Sequence, residues 1–330
     1  MINRRIRSAL LGFITLFLPM ALWAEPQQLV FSHVVSPDTP KGKMAKMFKS
    51  MVEKKMGDRF EIIIYPSADL MDDDEAVNAI AEGRIHFAAP SLSKFETYTQ
   101  KLKVFDLPFL FPDMDAVNRF QNSPTGQSLL TSMENQGILG LGYLHNGLKQ
   151  LTADRPFTRP EDLAGLRFRT MNSDVLIKQF ELLNAEAVPM AFSEVYQALA
   201  VKRINGQENT WSNIFSKAFY EHQPYMMISN HGVLDYMLIT NTDFWKGLSE
   251  QDRFNFRYAI KMALKYGNAV AKAKSTNDKT ELTHMKNVTV YEPTAAELAT
   301  WQNAMQPLWA SYEKIIGKNI IDAARKAGQP

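Results

Sequence analysis

The sequence predicts an α/β protein of two similarly built lobes on open mixed sheets, with a hinge between them and a long helix bracing both. Three observations predict it. Short β-branched and aromatic runs alternate with helical periodicity from Leu29 onward. The same alternation restarts at Leu166 after a break. A helical pattern then runs from Ser249 to about Met285, long enough to outrun one lobe.

The chain opens on Arg4, Arg5 and Arg7 with no acid, then an apolar run from Ala9 to Leu18 and a small residue, Ala24. This layout predicts a cleavable secretory signal peptide over residues 1–24 and a periplasmic destination. Leu22 departs from the small residue usual three before the cut, the paired Arg4 and Arg5 leave a twin-arginine route open, and an uncleaved anchor is the alternative. No later run has the length of a membrane helix.

Removing 24 of 330 residues leaves 306, enough for two lobes with a core each. It also removes three of 37 basic residues, leaving 34 against 35 acidic ones and a formal charge of −1. That balance gives no support to nucleic acid as a partner. The absence of cysteine excludes disulfides, thiolate metal sites and cysteine nucleophiles together.

In order, Leu29 to Ser32 reads as a strand, and Met44, Met47, Phe48, Met51 and Val52 as a helix. Phe60 to Tyr65 is a strand ended by Pro66, Asp73 to Gly83 a helix, and Ile85 to Ala89 a short strand. A helical region over Met114 to Gln136 precedes the apolar run Ile138 to Leu144. The second alternation is Leu166–Thr170, Ser173–Asn184, Ala187–Met190 and Ser193–Lys202. Tyr236 to Thr240 follows as a strand, then the capping box at Ser249 and the long helix through Phe254, Tyr258, Met262, Leu264 and Val270, with a bend at Gly267. A second box at Thr294 opens a helix through Trp301 and Trp309. The expected division is 25–146 with 236–274 in one lobe and 147–235 with 275–330 in the other.

Catalytic signatures are missing. The six histidines have no paired metal-ligand spacing, and there is no nucleophile elbow or phosphate loop. No cofactor or metal is expected. The acidic run Asp72-Asp73-Asp74-Glu75 lacks the alternating ligands of a calcium loop and reads as a helix N-terminus.

Several residues suit an anion. In Gly165-Leu166-Arg167-Phe168-Arg169, the arginines alternate with apolar residues, so both project from one strand face, and an arginine there can clamp a carboxylate. Pairing with a neighbour such as Glu161 is the alternative. Met190 to Tyr196 sets a strand before a helix capped by Ser193, with Phe192 able to cover a carbon skeleton or to serve as core. Gly206-Gln207-Glu208-Asn209 offers turn and amide chemistry, either for a ligand or for a loop backbone.

These segments together carry a specific resemblance. Phe31-Ser32-His33-Val34-Val35, Pro90 to Phe95, Val104 to Phe111, Asn146 to Gln150, Gly165 to Arg169, Met190 to Leu199 and Gly206 to Asn209 stand in the order of the substrate-binding proteins of TRAP transporters. The chain is similar to that DctP family over nearly its whole exported length. The resemblance implies a non-catalytic two-lobed receptor whose cleft closes on an organic acid, partnered by a sodium-coupled membrane permease. It also implies that Arg169, not Arg167, clamps the carboxylate, with Asn209 and Phe192 beside it. The Asn146 to Gln150 and Pro90 to Phe95 forms resemble the four-carbon dicarboxylate subgroup rather than the sialic-acid one.

A dicarboxylate needs a second cation, which Lys149 or Lys41 can supply, and Ser91 offers a hydroxyl. His33 and Asn213 complete the expected set. Trp211, Asn205, Asp72 and Ala76 depart from the subgroup's usual residues. A monomer is expected, and presentation of the ligand to a membrane sensor kinase is the alternative role.

Overall fold

The computed structural model describes residues 25–329, so the leader read at 1–24 lies outside the described residues. The strands are β1 Gln27–Ser32, β2 Phe60–Tyr65, β3 Phe87–Ala88, β4 Ile138–Ala153, β5 Arg167–Thr170, β6 Glu186–Pro189, β7 Gly206–Asn209, β8 Tyr225–Asn241 and β9 Thr289–Tyr291. They form one hydrogen-bonded path, β2-β1-β3-β8-β4-β7-β5-β6, with β9 on β8.

The α/β class holds, and the two halves share one mixed sheet through β4 and β8. Sequence reading ends them as short runs, but they span 16 and 17 residues and pair antiparallel along most of their length. The later half of β4 pairs with β7, and the C-terminal end of β8 pairs with β3, so these two strands stitch both halves together. Their register slips between Gly140 and Gly142, His145 and Gly147, and Lys149 and Leu151. Such bulges bend paired strands locally.

Strand alternation distributes the core. Leu29 and Phe31 of β1 enter a cluster with Phe48, Phe87 and Phe256, while Val30 packs on the opposite face against the cluster of Phe105 and Phe120. The second half has its own cores around Phe168, Phe180 and Trp301, and around Val195, Trp211 and Phe219.

The helix Glu250–His284 runs 35 residues, started by Ser249 accepting from the Asp252 amide. Phe256, Ala259, Ile260 and Ala263 are the buried apolar side chains of its first half, whereas Phe254, Tyr258 and Met262 of the expected periodicity face outward. No break occurs at Gly267. A Cβ there would stand 2.6 Å from Leu144 and 2.9 Å from Met44, so the glycine permits close approach of β4 and the helix Pro40–Met56.

The C-terminal helices divide their packing between the two halves. Ala295–Met305 does join the second half through Trp301 and Met305. The helices Pro307–Ile316 and Lys318–Ala327, however, bury Leu308, Tyr312, Ile316, Ile320 and Ile321 in the core of Phe105 and Phe120 in the first half. Their apolar faces match that groove, so the chain returns to where it began. Among the described residues no helix is long and apolar enough to cross a membrane.

Candidate anion-binding cleft

A cleft lies between the two halves of the sheet, beyond the C-terminal ends of the parallel strands β1, β5 and β7. Ligand sites of open α/β sheets gather at such strand ends, where loops are free to vary and side chains converge. The segment after β1 contributes Val34 and Val35, β5 contributes Arg169, and β7 contributes Asn209. Ser91, Phe192, Asn213 and Tyr236 complete the wall, with Asp72, Asp73 and Asp74 along its rim.

Arg169 is buried at 2% exposure. One terminal nitrogen, Nη2, donates to the Met190 carbonyl at 2.9 Å, and Nε has no partner among the described residues. Burial pulls its pKa down to about 10, with Glu208 and the rim aspartates opposing, so the group stays cationic at neutral pH. The guanidinium stands 6.0 Å from the centre of the Phe192 ring. Arg167, two residues earlier, donates instead to the Lys202 carbonyl and lies away from the cleft.

Asn209 is oriented by its neighbours. Its Oδ1 accepts from Asn213 Nδ2 at 2.8 Å and from the Thr210 amide at 3.1 Å, which leaves its Nδ2 buried without a partner among the described residues. Asn213 is held in turn on the short helix Trp211–Ser216, whose Thr210 cap accepts the Asn213 amide. The Gly206–Asn209 segment read as a turn is strand β7, buried throughout, because it pairs with both β4 and β5.

Lys41 and His33 stand behind this wall. Lys41 lies 3.7 Å from the Tyr236 ring centre and 3.9 Å from Asp73 Oδ2, and its ammonium makes no hydrogen bond among the described residues. Burial draws its pKa to about 8, against the pull of Asp73. His33 is buried with Nδ1 unpartnered among the described residues, and burial together with Lys41 pushes its pKa to about 3, so the ring is neutral. Ser91 caps a short turn by accepting from the Ser93 amide, and its own amide points at Asp73 Oδ2 at 3.4 Å.

Lys149 is placed elsewhere. It is fully buried against Glu208, which also accepts from Gln179 at 3.0 Å and contacts His231 at 2.7 Å. Burial would raise the Glu208 pKa, but Lys149 and His231 outweigh it and hold the carboxyl well below its usual range. Neither Lys149 nor Lys41 lines the cleft, but Lys41 touches two residues that do, Tyr236 and Asp73. Ser193, expected as a helix cap, lies inside the turn Phe192–Glu194, and its hydroxyl donates to Asp72 Oδ2.

Sequence reading missed Tyr236 and Lys94, and took the acidic run for a helix N-terminus alone. Asp73 to Glu75 do occupy the first turn of the helix Asp73–Ala81. The same turn faces the cleft, where Lys94 pairs with Asp74 at 2.5 Å. Tyr236 carried a faint signal as a hydroxyl within the apolar run of β8.

A family model for bacterial extracellular solute-binding protein, family 7 (DctP), matches residues 31–315. The C4-dicarboxylate-binding periplasmic protein DctP of Shewanella loihica is 50% identical over 302 residues, 92% of this chain and 90% of that one. Its namesake in Vibrio cholerae serotype O1 is 40% identical, covering 92% of each chain. A TRAP periplasmic solute-binding protein from Shewanella oneidensis with bound succinate superposes with a TM-score of 0.91 at 46% identity, over 92% of this chain and all of that one. One from Pseudomonas aeruginosa with bound L-malate gives 0.84 at 40% identity, over 87% of this chain and all of that one.

Proposed function

Because the chain belongs to the DctP family of bacterial extracellular solute-binding proteins, we propose that it is a periplasmic receptor that closes around a four-carbon dicarboxylate and delivers it to a sodium-coupled TRAP permease. Succinate, malate and fumarate are the ligands of this reading. The observation that carries it is the set of buried donors left over by the protein itself: Arg169 Nε, Asn209 Nδ2 and, behind Tyr236, the Lys41 ammonium. Buried polar groups are nearly always satisfied, and a cluster of spare donors and cations fits an anionic ligand. Relatives that share up to half of the sequence carry dicarboxylate-binding names, and two similar structures hold succinate and L-malate.

In the proposed cycle one carboxylate meets Arg169 and Asn209 in the second half of the protein. Closure about β4 and β8, near their register slips at His145 and Gly147, brings Ser91 and the Lys41 charge over the far carboxylate. Phe192 covers the carbon skeleton. A dianion is stably buried only when both ends meet donors, which selects a diacid over a monoacid. The closed form is then the one the permease recognises. The leader at 1–24 is removed on export, and no chemical step on the ligand is involved.

Titration calorimetry of the purified protein with succinate, malate and fumarate tests the reading. Saturable heat at micromolar or lower concentration is expected for at least one of them. No heat for any four-carbon diacid would overturn it.

A further inference from the structure

The long helix Glu250–His284 carries a surface that the cleft does not use. Phe254, Tyr258, Met262 and Tyr266 recur every four residues and are 61%, 49%, 36% and 40% exposed. Residues four apart lie along one ridge of a helix, so this row extends about 18 Å at 1.5 Å per residue. Large apolar side chains rarely gather on a surface without a covering partner.

A second row runs beside it. Arg253, Arg257, Lys261 and Lys265 precede each apolar residue by one position, and Arg257, Lys261 and Lys265 are exposed. From Arg253 to Asn277 the helix contains six basic residues and no acid, in an exported chain whose formal charge is −1. Neutralising partners are few: Arg253 donates to the carbonyls of Lys246 and Leu248, and Lys274 pairs with Asp278. The adjoining helix adds Lys55, whose ammonium stands 5.5 Å from the Tyr258 ring centre and 5.8 Å from that of Phe254.

We propose that this face is a docking surface for an anionic phospholipid bilayer. Parallel rows of cations and exposed aromatic or thioether side chains are what a lipid interface recognises, with the cations meeting phosphate headgroups and the rings entering the acyl boundary. The local excess of positive charge within a nearly neutral protein supplies the complementarity. Attachment of this kind is weak and reversible, and it holds the protein near the membrane plane with the cleft left free.

The purified protein is mixed with vesicles of phosphatidylcholine alone and with vesicles containing about one third phosphatidylglycerol, and the bound fraction is read by flotation. Binding to the anionic vesicles only is expected, weakened by about 0.5 M salt. R257E/K261E/K265E should lower the partition coefficient by about tenfold or more. F254S/Y258S should lower it severalfold at unchanged charge. These side chains are exposed, and an unchanged melting temperature verifies that each variant is folded. The proposal is overturned if the protein ignores anionic vesicles or if both variants bind as the parent does. It is also overturned if the parent sediments as a dimer that F254S/Y258S dissociates, since the row then covers a second copy of the chain.

Discussion

The Ser193 hydroxyl donates to Asp72 Oδ2 at 2.8 Å, joining the turn after β6 in one half of the protein to the N-terminus of the helix Asp73–Ala81 in the other. It is a contact across the mouth of the cleft, made by groups that lie 121 positions apart. A hydrogen bond to a carboxylate there favours the closed arrangement without touching the interior of the site. Ser193→Ala should therefore raise the ligand dissociation rate about fivefold, from the loss of ~1 kcal/mol, and leave the association rate nearly unchanged. Stopped-flow fluorescence with succinate measures both, and an unaltered dissociation rate would show that the contact does not hold the cleft shut.

Arg169→Lys tests geometry rather than charge. A lysine keeps the positive charge but cannot form the paired parallel donors of a guanidinium. Affinity for a diacid should fall by about 100-fold, or ~3 kcal/mol, in calorimetry. A loss below about threefold would mean that the carboxylate is held elsewhere.

The ion pair of Lys149 and Glu208 separates structure from binding. Both side chains are almost completely buried, so Lys149→Met leaves the Glu208 carboxylate in the core without its lysine cation, held by Gln179 and His231, and should lower unfolding free energy by about 3–5 kcal/mol. Adding Glu208→Gln removes that charge and should restore most of the loss. Urea titrations follow stability, while the affinity of the double variant should stay within about threefold of the parent. A loss comparable with that of Arg169→Lys would place Lys149 on the ligand.

His33 makes stability depend on pH. Its folded pKa of about 3 lies below the unfolded value of 6.5, so between these limits the unfolded chain holds a proton that the folded chain lacks. Stability is thus complete above about pH 6.5 and falls as pH drops, by ~2 kcal/mol over the first 1.5 units. His33→Gln should flatten that slope when unfolding is compared at about pH 7 and pH 5. Asp106, raised to about 6 by burial despite Lys149 and two serine donors, contributes the opposite slope over part of this window. The difference between variant and parent isolates His33. Parallel curves would show that the ring is protonated in the fold.

Patterns with short periods were readable directly. The run Leu29 to Ser32 and the alternation of Leu166 to Thr170 located β1 and β5 to within two residues, and the spacing of Met44 to Val52 marked the middle of the helix Pro40–Met56, since the cause of each is local burial of one face. Arg169, Asn209, Phe192, Ser91 and Asn213 could be named from motifs, and the fold brings all five to one cleft. Legibility ended where a segment answers to two neighbours. Gly206 to Asn209 carries polar turn chemistry, yet it is a buried strand because β4 and β5 flank it on both sides.

What the sequence by itself determined is the α/β class, the long brace, the absence of cysteine chemistry and the arginine at a strand end, because each follows from composition or from periodic patterns of neighbouring residues. Only the tertiary structure decided that Lys149 is neutralised by Glu208, 59 positions away, and that Lys41 lies behind Tyr236. Only it returned Leu308 and Ile320 to the core of the first half, and turned Phe254 and Tyr258 outward. Each of these depends on which distant surface meets a side chain. That choice is made by the competition of whole faces for burial, and no local period records its outcome.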